Sequence, residues 1–158
     1  MGSAELLPIL DAEVEARCQA VAEARPDWPC RAGCADCCRA LAVPMEVSDA
    51  EWARVEDALE ALGAEGERLR GRLDAWTDAR ACPLLGDDER CSIYAARPLA
   101  CRTYGFYVAG DGKGLWCAEI SALEGLENTV LGHERGIDGR LSRPRRTWSE
   151  WTAAGRPR

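Results

Sequence analysis

The sequence predicts an α+β fold in a small single domain, with N-terminal and inserted helices packed on a loop- and hairpin-rich half. Three observations predict it. Apolar residues recur at steps of three and four over residues 7–21 and again over 52–76. From Cys82 onward the chain breaks into short apolar runs separated by Asp- and Gly-containing turns. Eight of the nine cysteines fall between Cys30 and Cys117, in the part with the weakest helical periodicity.

The elements follow in order. Leu7, Leu10, Val14, Cys18 and Val21 line one face of a helix that Pro26 must end, because proline lacks the amide and clashes with the preceding turn. On that stripe Cys18 reads as a small core hydrophobe and as the odd cysteine. The segment 41–47 reads as extended, with Pro44 arguing against a helix or a central strand. Ser48 then caps a helix, Glu51 completes a capping box, and Val47 packs on Trp52 as a hydrophobic staple. The stripe Trp52, Val55, Leu59, Leu62 follows, Gly63 supplies the left-handed stop, and a second charged helix buries Leu69, Leu73 and Trp76. Farther on, GDDER and AGDGKG read as hairpin turns, residues 97–102 as one helical turn, and ENTVLGHERG as a short helix.

The 158 residues carry a net charge of −7, which argues against a general nucleic-acid or anionic-membrane binder, since phosphate surfaces attract basic chains. No apolar run approaches the roughly 20 residues of a membrane span, and MGSAELLPIL lacks the features of a secretory signal. A cytoplasmic protein without a membrane partner is therefore expected. Residues 140–158 hold six arginines and one glutamate. Such a tail is a solvated end or an arm for a protein partner, unless Trp148 and Trp151 anchor it to the body.

In a reducing compartment nine cysteines point to metal binding or catalysis rather than disulfides. Setting Cys18 aside leaves four clustered thiols in CRAGCADCC and four dispersed ones, which suits two four-thiolate sites or one cluster with spare ligands. Cys34 and Cys37, two residues apart, form the natural chelating pair. The neighbours Cys37 and Cys38 would point to opposite sides of an extended chain and so serve different sites. A Cys34–Cys37 redox couple is the competing reading; no βαβ context supports it.

CRAGCADCC, then CPLL, then CSIYAARPLACRTYGF, then LWC resembles the YkgJ-type cysteine-cluster family, the zinc- or iron-chelating CxxCxxCC domain that also includes flagellin lysine N-methylases. Here three residues, rather than two, separate Cys30 from Cys34. The resemblance implies metal ligation by Cys30, Cys34, Cys37, Cys38, Cys82, Cys91, Cys101 and Cys117. The organisation expected is a single metal-binding domain over 1–139, with ligands in 30–117 and a helical insert at 48–80, followed by the basic tail 140–158. Zinc, as one or two ions, is the expected cofactor, with iron or a [4Fe-4S] cluster as the alternative. A metal- or cluster-dependent enzyme, with protein lysine N-methylation as the family precedent, is the alternative function, and thiolate metal storage or transfer is another. No Gly-rich strand-to-helix turn supports a methyl-donor pocket.

Around these thiols, Arg97 and Arg102 can offset thiolate charge or form plain salt bridges. Tyr94, Tyr104, Phe106 and Tyr107 read as packing that excludes water, and His133 as a surface residue. Asp87, Asp88 and Glu89 read as an exposed turn.

Overall fold

The computed structural model describes residues 1–41, 44–76, 81–138, 140 and 144–155, with only the backbone described at 135 and 138. In chain order the helices are α1 (Ser3–Ala24), α2 (Asp36–Arg39), α3 (Asp49–Ala61), α4 (Ala64–Asp74), α5 (Leu99–Thr103), α6 (Ala118–Ser121), α7 (Arg135–Asp138) and α8 (Trp148–Ala153). The strands are β1 (Glu46–Val47), β2 (Tyr107–Val108), β3 (Gly132–His133) and β4 (Arg146–Thr147). The α+β class is as predicted. Among the described residues no helix is long and apolar enough to cross a membrane. The chain divides into two compact units: Met1–Cys34 with Leu99–Leu141, and Ala35–Pro98 with Ser142–Arg158.

The first unit is built on α1. Its stripe Leu7, Leu10, Val14 and Val21 is buried as the periodicity requires, while Cys18 is half-buried and its thiol faces the Arg102 carbonyl at 3.7 Å. The helix stops at Ala24: Arg25, the residue before Pro26, leaves the helical region with φ −131° and ψ 85°. An ion pair from Arg102 to Asp11 (3.3 Å) ties α5 to α1. Strands β2 and β3 pair in parallel, Tyr107 opposite Gly132 and Val108 opposite His133. Helix was expected across this stretch; instead Gly132 lets the chain lie flat on the Tyr107 ring, where an added Cβ would come within 2.3 Å of it. The AGDGKG turn is a hairpin, closed by the Ala109 amide to the Lys113 carbonyl at 2.7 Å.

The second unit has the predicted helical pair. The Ser48 amide and hydroxyl donate to the same Glu51 carboxylate oxygen at 2.8 and 2.9 Å, and Glu51 is 0% exposed. Trp52, Val55 and Leu59 face the core, whereas Leu62 is 40% exposed. Leu62 caps α3 one residue before Gly63, so the chain turns away before it can join the stripe. α4 crosses closely at Gly66, where a Cβ would stand 1.7 Å from the Leu59 carbonyl oxygen. Leu69, Leu73 and Trp76 complete the buried face.

The described part of the basic tail belongs to this core. β4 pairs antiparallel with β1. Thr147 and Glu150 form a second capping box at the start of α8, and Trp148 and Trp151 pack on Trp52 with ring centres 5.4 and 6.4 Å apart. Each indole N–H finds an acceptor, Trp148 on Asp74 and Trp151 on the Val47 carbonyl, both at 3.0 Å. Of the three tail readings, the anchor is therefore the one the packing supports for the described residues.

Candidate metal centre

The eight candidate cysteines divide evenly. Cys30, Cys34, Cys101 and Cys117 lie in the first unit, with Cys18 in addition, and Cys37, Cys38, Cys82 and Cys91 lie in the second.

In the second unit the doublet sits on α2, not on extended chain as expected, with the Arg39 amide bonded to the Ala35 carbonyl at 3.0 Å. Consecutive side chains of a helix diverge by only about 100°, and the Cys37 and Cys38 thiols share a hydrogen bond. The two thiols of the doublet thus lie side by side. The Cys82 amide donates to the Cys38 carbonyl at 2.7 Å, joining the next segment to it. The gap from Cys82 to Cys91, loose in the sequence, is closed by a hairpin: Leu85 bridges Cys91, the Gly86 amide bonds the Arg90 carbonyl at 2.8 Å, and the Ser92 amide bonds the Leu84 carbonyl at 2.9 Å. Glu89 takes the left-handed corner with φ 63° and pairs with Arg39, so the acidic run is a turn.

These thiols feel one another. The hydrogen bond with Cys38 pushes the Cys37 thiol far up, and burial adds to it. Burial pushes Cys82 up to about 11, with Cys91 and Cys37 adding repulsion. Burial also raises Cys91, against the pull of the Arg97 guanidinium. Backbone amides oppose the rise: Leu84 and Leu85 donate to the Cys82 sulfur, and Ile93 donates to that of Cys91. Amide donors aimed at sulfur stabilise thiolate, the form a soft metal requires. Arg97, stacked 3.7 Å from the Tyr94 ring centre, supplies the positive charge. Arg102 is committed to Asp11 instead.

In the first unit, Cys30 and Cys117 pack into one apolar cluster with Val21, Trp28, Phe106, Trp116 and Ile120. Gly105 crosses directly over Cys30: at φ 94°, an added Cβ would lie 2.3 Å from the Cys30 sulfur, and the Gly105 carbonyl accepts the Trp28 indole N–H at 3.1 Å. Cys34 follows a turn at Gly33 (φ 89°), Cys101 rides on α5, and Cys117 caps α6. His133 is exposed on β3.

Among the described residues no three of the sulfurs all lie within 4.8 Å of one another. The donor set nevertheless fits a thiophilic ion: four thiols in each unit, half-buried, with amide donors on two sulfurs of the second. Sequence reasoning missed the amides, since a backbone donor has no side chain to read. No curated protein and no solved structure matches the chain. The family described as "CxxCxxCC: Putative zinc- or iron-chelating domain" matches residues 29–123, a span that takes in all eight cysteines and leaves out Cys18.

Proposed function

Since the chain belongs to the CxxCxxCC family of zinc- or iron-chelating domains, we propose that it binds two metal ions through thiolates, one in each unit. Cys37, Cys38, Cys82 and Cys91 would hold one ion, and Cys30, Cys34, Cys101 and Cys117 the other, so Cys34 and Cys37, the chelating pair expected from their spacing, would serve different ions. The observation that carries this reading is the division of the eight thiols, four and four, between units that are each compact by themselves. Zinc is the proposed ion, because a closed four-sulfur set suits a metal without redox chemistry or a geometric preference of its own. In the second unit amides and Arg97 compensate thiolate charge, and in the first the Trp28, Phe106 and Trp116 rings would keep water from an ion held by Cys30 and Cys117.

Elemental analysis and an optical spectrum after anaerobic purification test the proposal. The expected outcome is a colourless protein with two zinc ions per chain, reduced to one by Cys91→Ser and to one by Cys101→Ser. Brown protein with acid-labile sulfide would replace zinc by an iron–sulfur cluster. A single variant that removes all the metal would overturn the division into two sites.

A further inference from the structure

Away from the thiols, the first unit contains a cavity of about 380 Å³ between α1 and the β2–β3 pair, near the lower end of the range for small-molecule sites. Ala16, Ala20, Gly132 and Ile137 give it an apolar floor, and Tyr107 closes one side.

Of the four polar side chains that line it, Glu13, Arg17, Tyr107 and His133, the arginine and the tyrosine are left for a ligand. Tyr107 is only 5% exposed, and among the described residues its hydroxyl makes no hydrogen bond. The ring is buried, but the hydroxyl oxygen is not among the buried polar atoms without a partner, so it reaches the solvent of the cavity and can donate to a ligand there. Arg17 is half-buried; its guanidinium has a long 3.5 Å bond to the Val130 carbonyl and no carboxylate partner among the described residues. Glu13, one turn back on α1, is taken by Arg140 at 2.7 Å and so does not neutralise it. A guanidinium and a hydroxyl donor lining one cavity with apolar residues suit a carboxylate on a compact hydrophobic body.

We propose that this cavity binds a small monocarboxylate, with Arg17 and Tyr107 holding the carboxylate and Ala16, Ala20 and Ile137 receiving the apolar body. Gly132 is a positioning residue, since any side chain there would displace the Tyr107 ring. Gly136 stands at the cavity with nothing within 4 Å of an added Cβ, so a larger residue can fill the space without disturbing the packing.

The test is titration of the full chain with benzoate, benzamide and inorganic phosphate, followed by amide shifts in NMR. Benzoate is expected to shift the amides of residues 16–20, 107 and 132–137. It should bind at least tenfold more tightly than uncharged benzamide or than phosphate, which lacks the apolar body. Arg17→Gln should weaken benzoate at least tenfold, Tyr107→Phe about threefold, and Gly136→Val should abolish binding with an unchanged thermal midpoint. Benzamide binding as tightly as benzoate removes the role of the charge, and phosphate binding as tightly removes the role of the floor. Either result, shifts confined to other residues, or no saturable benzoate binding overturns the proposal.

Discussion

Metal uptake by the second unit should release protons, and the number follows from its thiols. A metal takes thiolate, not thiol. The hydrogen bond with Cys38 holds Cys37 protonated at neutral pH, and burial holds Cys82, up to about 11, and Cys91. Binding through them therefore expels at least three protons, and apparent affinity should rise about a thousandfold per pH unit between pH 6 and 8. At about 1.4 kcal/mol per proton and pH unit, that is roughly 4 kcal/mol for each unit of pH. Holding Cys82 near 11 rather than at an ordinary thiol value itself costs thiolate formation about 3 kcal/mol. The metal-free fold shows the opposite trend. Its raised thiols contribute stability that is present below the unfolded value near 8.5 and lost as pH rises through the folded value near 11. The assay uses Cys101→Ser, so that only the second unit loads, with zinc added in weak buffer and proton release followed by pH-stat. Competition against a chelator at several pH values gives the slope. Release of one proton or none, as ligation by carboxylate or water would give, would refute thiolate binding here.

Three further outcomes follow from packing. Gly105→Ala should lower zinc from two ions per chain to one, because its Cβ strikes the Cys30 sulfur; Gly112→Ala, also at positive φ (84°) but with open space around it, should keep both, and equal metal loss in the two variants would sink the reasoning. Trp151→Ala should cost about 3–5 kcal/mol in urea unfolding, the usual cost of deleting a buried large aromatic, since the indole fills the core against Trp52 and donates to Val47; an unchanged midpoint would contradict that burial. Gly66→Ala should destabilise the second unit by about 1–3 kcal/mol through forced separation of α3 and α4, whereas Gly71→Ala, with nothing near its Cβ, should stabilise by about 1 kcal/mol; differential scanning calorimetry separates the two signs.

The sequence was most legible where one residue type enforces one local geometry. Pro26 ends α1, and Ser48 with Glu51 starts α3 as a closed box, because both effects act within a single turn. Periodicity found the buried faces of α1, α3 and α4 but over-extended one of them to Leu62, since a stripe does not show where the backbone departs from it. The cysteine doublet was misread for a related reason. Alternation across Cys37 and Cys38 holds only for extended chain, and no propensity in CRAGCADCC announces the four-residue helix. Gly132 illustrates the limit most directly: its strand exists because a ring eighty-odd angstroms of extended chain away, on Tyr107, accepts a bare backbone over it.

The division of thiols also bears on why they are there. α2, α5 and α6 have four, five and four residues, too short to persist by hydrogen bonding alone, and each carries or is capped by candidate ligands. The long helices lie elsewhere, in α1 and in the α3–α4 pair, where the fully buried side chains concentrate. In each unit a helical scaffold with its own core thus adjoins a ligand-bearing part made of turns. Under the proposed two-ion binding, that second part is the one the ions would order. Stripping the metal should therefore melt the segments around Cys30–Cys38, Cys82–Cys91 and Cys101–Cys117 before the helices, so that metal-binding free energy appears as folding free energy in the turns. Hydrogen exchange distinguishes this from uniform unfolding: α1, α3 and α4 keep slow amides in the metal-free chain, and the cysteine segments lose theirs.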